Sequence, residues 1–286
     1  MNIFKNPEEM HAWAKKQTLS GKTIALVPTM GFFHEGHLAL MRLAAGQYDL
    51  VVVSLFVNPT QFGPNEDLDQ YPRDFERDMA LVEEEKVAAV FAPTPEAMYP
   101  PGFQTEVQVR SISTHLCGRS RPQHFAGVTT VVSKLFNIVQ PDAAVFGEKD
   151  FQQLAVIRRM VGDMNIPVKI IGHPIVRETD GLAMSSRNAN LDPANRAAAL
   201  SLSGALRMAR EMAGRGQTSA VELQAALEAY ILSFAGTAID YVSFVDCDSL
   251  APVTWVDERT VLALAVYIDN KVRLIDNGYV ILRTEN

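Results

Sequence analysis

The stretch Thr23-Ile24-Ala25-Leu26-Val27-Pro28-Thr29-Met30-Gly31-Phe32-Phe33-His34-Glu35-Gly36-His37 decides the fold. An unbroken apolar run, suited to a strand buried on both faces, passes through a glycine-bounded turn into a helical pattern over 36–45. The same grammar recurs. Leu50-Val51-Val52-Val53-Ser54-Leu55-Phe56 reads as a second buried strand, and helical patterns over 74–85, 128–139 and 151–164 each lead into a short apolar run, at 88–91, 143–146 and 168–171. Repeated strand–helix units with strands of this kind predict an α/β fold, a doubly wound parallel sheet of Rossmann-like type.

After about residue 176 the pattern changes. A polar loop over 177–190 is followed by helical stretches at 193–213 and 219–234, then by strand-like runs at 239–245, 260–267 and 271–275, with Asp269-Asn270 as a hairpin turn. This predicts two domains, 1–176 and a smaller α+β domain over 177–286, the latter with an antiparallel sheet. The 286 residues exceed the usual single-domain size, and 48% hydrophobic content suffices for two cores.

Bulk properties exclude several classes of partner. A net charge of −7 without a lysine-rich stripe argues against general nucleic-acid or anionic-membrane binding. Cys117 and Cys247 stand far apart and match no metal or redox spacing. No apolar run is long enough to span a bilayer, and no apolar leader follows the first residues, so a cytoplasmic protein is the expectation.

In an open α/β sheet the first turn lies at the carboxyl edge, where ligands bind. Gly31 and Gly36 permit tight turning, and the helix start offers unpaired N–H groups and a positive dipole end to a phosphate. His34 and His37 can add donors; a surface pair or half of a metal site are the alternative readings. Asn58-Pro59-Thr60-Gln61-Phe62-Gly63 follows the second strand, where Asn58 and Gln61 offer amides to a small polyhydroxy acid. Gly147-Glu148-Lys149-Asp150-Phe151-Gln152-Gln153 follows another strand, with Lys149 placed as a point charge for phosphate and Asp150 as a helix cap. Met184-Ser185-Ser186-Arg187-Asn188 combines two hydroxyls with an arginine, either an anion clamp or a polar linker.

His34-Glu35-Gly36-His37 resembles the H-x-G-H signature of the nucleotidylyltransferase superfamily. The combination P-T-M-G-x-x-H-x-G-H, N-P-x-Q-F, G-E-K-D-x-Q-Q and M-S-S-R-N, in this order, resembles the pantothenate synthetase family over nearly the whole chain. The resemblance implies an ATP-dependent ligase that activates pantoate as an acyl-adenylate and joins it to β-alanine, with Mg2+ accompanying ATP. It implies that Met30, Gly31, His34, Gly36, His37, Gly147, Lys149, Asp150, Val176, Met184, Ser185, Ser186 and Arg187 meet ATP, and that His37, His34 and Lys149 are catalytic. Pro28, Met30, Asn58, Gln61, Arg121, His124 and Gln153 would meet pantoate or β-alanine. The metal ligands stay unassigned; Asp78 is the nearest candidate. A homodimer, with the small domain as a lid, is also implied. Two features depart from the family pattern: Gln123 replaces a glycine in Arg121-Pro122-Gln123-His124-Phe125, and Phe32-Phe33 replaces a smaller pair. A related transferase moving AMP onto a phosphate ester, or a non-catalytic nucleotide sensor, are the rival readings.

Overall fold

The computed structural model describes residues 1–64 and 66–281. Its elements run β1 (Asn2–Phe4), α1 (Pro7–Leu19), β2 (Ile24–Thr29), α2 (Glu35–Ala45), β3 (Leu50–Leu55), α3 (Phe75–Glu84), β4 (Ala89–Phe91), α4 (Pro95–Met98), α5 (Cys117–Ser120), α6 (His124–Val139), β5 (Ala143–Gly147), α7 (Phe151–Asp163), β6 (Lys169–His173), α8 (Arg196–Gly214), α9 (Ala220–Leu232), β7 (Thr237–Asp246), β8 (Thr260–Ile268) and β9 (Val272–Tyr279). Among the described residues no helix is long and apolar enough to cross a membrane.

Six strands form one parallel sheet in the order β1-β4-β3-β2-β5-β6. Leu26 of β2 lies opposite Val52 on one side and Ala144 on the other. From β2 the chain winds first through β3 and β4, then crosses to β5 and β6, so the carboxyl end of β2 is the topological switch point. The continuous apolar runs are explained by two covered faces. Ile24 and Leu26 pack with Met10 of α1, Val128 and Val132 of α6 and Ile157 of α7. The alternate residues Ala25 and Val27 pack with Leu38 and Met41 of α2 and Val82 of α3.

The second compact unit is an α+β layer. Strands β7-β8-β9 form an antiparallel sheet. Leu202 and Leu206 of α8 and Leu223 and Leu227 of α9 share a core with Phe244, Leu262, Leu264 and Leu274. Asp269 and Asn270 both adopt left-handed backbone, with φ of 52° and 53°, as a two-residue hairpin turn of the primed kind requires.

Several boundaries differ from the sequence reading. β1 and α1 have no counterpart there, although Asn6 caps α1 by accepting from Glu8 and Glu9 N–H, with Pro7 at its first position. Helix α6 starts at His124, a full turn before 128. The compact units do not divide at 176. One comprises Met1–Ser113, Arg121–Glu148 and Gln153–Pro174; the other takes Thr114–Ser120, Lys149–Gln152 and the chain from Ile175 onward. Hydrogen bonds account for the two short segments. Gln152 accepts from Cys117 N–H and donates to the His115 carbonyl, while the Lys149 carbonyl accepts from Asn277 Nδ2 at 2.7 Å.

Candidate active site

The turn after β2 is built on consecutive left-handed residues, Gly31 at φ 84° and Phe32 at φ 53°. For phenylalanine this conformation is costly and needs an outside brace. Asp78 of α3 supplies it. Its two carboxylate oxygens accept the N–H groups of Phe32 and Phe33, each at 2.7 Å, and the side chain is 1% exposed. Burial pushes the Asp78 carboxyl above its ordinary value, against the two N–H donors, which favour the charged form. A Cβ on Gly31 would come to 3.0 Å from Asp78 Oδ2, so the brace also requires glycine there. Phe33 is fully buried, and Phe32 lies under the Arg77 guanidinium at 5.2 Å. The bulky pair is therefore accommodated by packing and by Asp78, a residue weighed in the sequence only as a metal ligand.

The histidines begin α2 as a reciprocal capping box. His34 Nδ1 accepts from Gly36 N–H at 3.1 Å, and His37 Nδ1 accepts from His34 N–H at 3.4 Å. Their rings lie 4.1 Å apart. Because both Nδ1 atoms accept, a neutral ring in either position carries its proton on Nε2. Two Nε2–H donors at a helix start, at the switch point of the sheet, suit an anionic group.

The turn after β3 meets this one through Met30. Gln61 Nε2 donates to Met30 Sδ at 3.3 Å, and Gln61 Oε1 accepts from Asn58 Nδ2 at 3.1 Å. The sequence places Asn58 among the substrate contacts. In the structure Asn58 is 1% exposed, donates also to the Gly127 carbonyl, and accepts from Thr60 and Tyr99. Gln61, at 8% exposed, stands at the open end of that chain.

Arg121 and His124 grip the same turn from behind. The Gln61 carbonyl accepts from Arg121 Nη2 at 3.1 Å and from His124 Nδ1 at 2.9 Å. Arg121 is held in turn by Glu66, whose carboxylate receives both Nε and Nη2. Burial works to raise the Glu66 carboxyl, but the Arg121 guanidinium prevails and holds it below its ordinary value. Glu66 is missed by the sequence reading, in which it is one acidic residue in a loop. Gln123 adopts φ −93° and ψ −10°, backbone open to any residue, so its replacement of glycine leaves His124 well placed at the first position of α6.

Pro28 in β2, Gly147 at the end of β5 and Gln153 on α7 are partly exposed members of the same unit. The remaining site candidates belong to the other unit. Lys149 and Asp150 lie in a 3-10 turn, Glu148–Asp150, which runs directly into α7, with Asp150 immediately ahead of Phe151. Lys149 Nζ stands 4.0 Å from Asp150 Oδ2. The loop over 177–190 contains a small hairpin, in which Arg177 bridges Ala183 and the Val176 carbonyl accepts from Met184 N–H at 3.0 Å. Asp276 fastens it by accepting from both Arg177 Nη atoms at 2.7 and 2.8 Å. Ser185 then caps the turn Ser186–Asn190 by accepting from Arg187 N–H, which sets Ser185, buried Ser186 and Arg187 in sequence along one turn. Among the described residues no three His, Cys, Asp or Glu side chains gather as a metal site, and both Asp78 oxygens already accept backbone N–H groups.

Fold and turn together define an enzyme of the Rossmann-like, H-x-G-H class. Residues 2–279 match the family model described as pantoate-beta-alanine ligase. The chain belongs to that ligase family. It is 55% identical to a pantothenate synthetase of Desulforapulum autotrophicum, covering 97% of this chain and 98% of that protein. The crystal structure of pantothenate synthetase from Thermus thermophilus superposes with a TM-score of 0.92 at 45% identity, covering 98% of this chain and 100% of that one. The pantoate-beta-alanine ligase of Francisella tularensis, solved in complex with Beta-gamma ATP and β-alanine, gives 0.80 at 34% identity over 98% of both chains.

Proposed function

We propose that the protein condenses pantoate with β-alanine at the expense of ATP, through a pantoyl-adenylate, releasing pyrophosphate and AMP. The observation that carries this reading is the double-histidine cap at the sheet's switch point, aimed by Asp78, in a member of this ligase family. In the first step a pantoate carboxylate oxygen attacks the α-phosphorus and the bond to pyrophosphate breaks. His34 and His37 donate Nε2–H to phosphate oxygens, and Lys149 adds a positive charge as negative charge accumulates on the leaving group. Arg187 with Ser185 and Ser186 receives the pyrophosphate. Met30, Gly31, Gly36, Gly147 and Asp150 shape the nucleotide subsite. The Val176 backbone, whose carbonyl accepts one bond from Met184 N–H, would meet the adenine.

Gln61 and Gln153 hold pantoate, with Pro28 and Met30 as its apolar wall. Arg121, His124 and Asn58 hold Gln61. In the second step the free amine of β-alanine attacks the acyl carbon, AMP leaves, and the amine loses a proton. No covalent nucleophile from the protein is required, because the mixed anhydride is itself the activated acyl group. Magnesium accompanying ATP would supply further charge neutralisation on the phosphates, beside the His34, His37 and Lys149 side chains. A cytoplasmic homodimer, the state the family resemblance implies, completes the proposal.

The test is direct. The protein is incubated with ATP, magnesium and pantoate, with and without β-alanine, and AMP and pantothenate are measured. Equal amounts of both, formed only when both organic substrates are present, support the ligase. AMP transfer to a phosphate ester, or ATP binding without turnover, would replace it with a transferase or a sensor.

A further inference from the structure

The carboxamide of Asn58 has no freedom to flip, and this has a consequence for what Gln61 can recognise. At one end it faces Thr60 N–H, which can only donate; at the other it faces the Gly127 carbonyl, which can only accept. The oxygen of Asn58 must therefore face Thr60 and the nitrogen must face Gly127. That nitrogen also faces the Gln61 side chain at 3.1 Å, so the atom of Gln61 turned inward must be its oxygen. Gln61 then presents Nε2 outward, where the described residues offer it the thioether of Met30 at 3.3 Å, a weak acceptor that a ligand oxygen would readily displace.

Tyr99 closes this chain at its far end. Its hydroxyl lies 2.8 Å from Asn58 Oδ1, the shortest contact that oxygen makes. Burial pushes the Tyr99 phenol up, so it stays a neutral donor across the working pH range. The ring is seated by Phe56 at 6.3 Å and Phe103 at 5.1 Å, with the Lys134 ammonium 5.8 Å from its centre. Forty-one residues in sequence separate Tyr99 from Asn58.

We propose that Tyr99 is a positioning residue, which joins Thr60 N–H and the Gly127 carbonyl in anchoring Asn58, so that the Gln61 carboxamide is held rigidly amine-outward and this turn reads hydrogen-bond acceptors, the hydroxyl and carboxylate oxygens of a small hydroxy acid. The assignment of the acid rests on the ligase reading above; the polarity of Gln61 rests on the Asn58 chain alone.

The experiment compares wild-type protein with Tyr99→Phe, Gln61→Ala and the double variant, measuring KM for pantoate, KM for ATP, kcat and thermal midpoint. Phenylalanine keeps the ring contacts and removes only the hydroxyl. Loss of one hydrogen bond in the chain should raise KM for pantoate by about tenfold. KM for ATP and the thermal midpoint should stay near wild type, and Tyr99→Phe should add nothing further in the Gln61→Ala background. A shift of both KM values together, a drop in thermal midpoint with no change in pantoate KM, or an undiminished effect in the Gln61→Ala background would overturn the positioning role. Wild-type protein that makes no pantothenate overturns the ligase reading instead, whereas active wild type with an indistinguishable Tyr99→Phe variant overturns the positioning role alone.

Discussion

Asp78 reaches back forty-six residues to accept the backbone N–H of Phe32, whose φ of 53° it thereby holds in place. Removing the carboxylate strands two N–H groups and releases the left-handed turn. Asp78→Ala should cost roughly 2–4 kcal/mol of stability, from two unmade hydrogen bonds. Its loss of ATP turnover should exceed that of an equally destabilised variant in the core of the other unit. Equal losses in the two proteins would show that Asp78 serves only the fold.

The same carboxyl predicts a pH dependence of stability. Its folded value is raised above the ordinary 3.8. The unfolded chain therefore gives up this proton more readily than the folded one, and the stability linked to this proton is complete below 3.8 and lost as pH rises through the raised folded value, while the two N–H bonds to the carboxylate remain. Thermal midpoints of wild type and Asp78→Asn, measured across that window, should show a downward slope with rising pH in the wild type that the variant lacks. Parallel curves would falsify the assignment.

Gly127 on α6 packs directly against the backbone of the Asn58–Gln61 turn. An added Cβ would sit 2.5 Å from the Thr60 carbonyl oxygen and 2.7 Å from the Gln61 nitrogen, both backbone atoms with no rotamer to relieve the clash. Gly127→Ala should lose about 1–3 kcal/mol by overpacking and raise KM for pantoate, while Gly162→Ala, where nothing lies within 4 Å of the new Cβ, should keep wild-type pantoate binding. Alanine at 127 with wild-type pantoate binding would mean that the helix and the turn move apart freely.

Lys149→Ala and His37→Ala should each slow pyrophosphate release by about 100-fold or more, the scale of losing one preorganised charge or donor to a transition state. Circular dichroism and thermal midpoint serve as the folding control. Near-normal pyrophosphate release from a folded variant removes that residue from the catalytic set.

The βα rhythm is legible in the sequence because both faces of β2 and β3 are covered, which makes Ile24–Val27 and Val51–Val53 unbroken apolar runs. The H-x-G-H turn is legible because the chain has only six histidines, and two of them stand on either side of Gly36 shortly after such a run. What escapes is whatever depends on a partner distant in the chain. Glu66 looks like any loop acid until Arg121 is placed on it, and Tyr99 is one aromatic among many until its hydroxyl meets Asn58. Asn58 shows the same dependence on distant partners. Its amide suggests a ligand contact, and Gly127, Gln61, Thr60 and Tyr99 also use its bonds. The segments 114–120 and 149–152 likewise carry no local mark of the unit they join, because Gln152 and Asn277 decide it.

Each histidine of the first turn starts a helix and, on the function proposed above, also serves the nucleotide phosphates. Alanine at His34 ends both at once, so a dead variant would not say which mattered. Asparagine separates them, since its short side chain is among the best helix starters and can take over the bond from Gly36 N–H while offering no ring nitrogen beyond it. The architecture thus lets the folding duty of this position be kept while its ring is removed, and on the proposed function a chain bearing His34→Asn should be well formed with a muted active site.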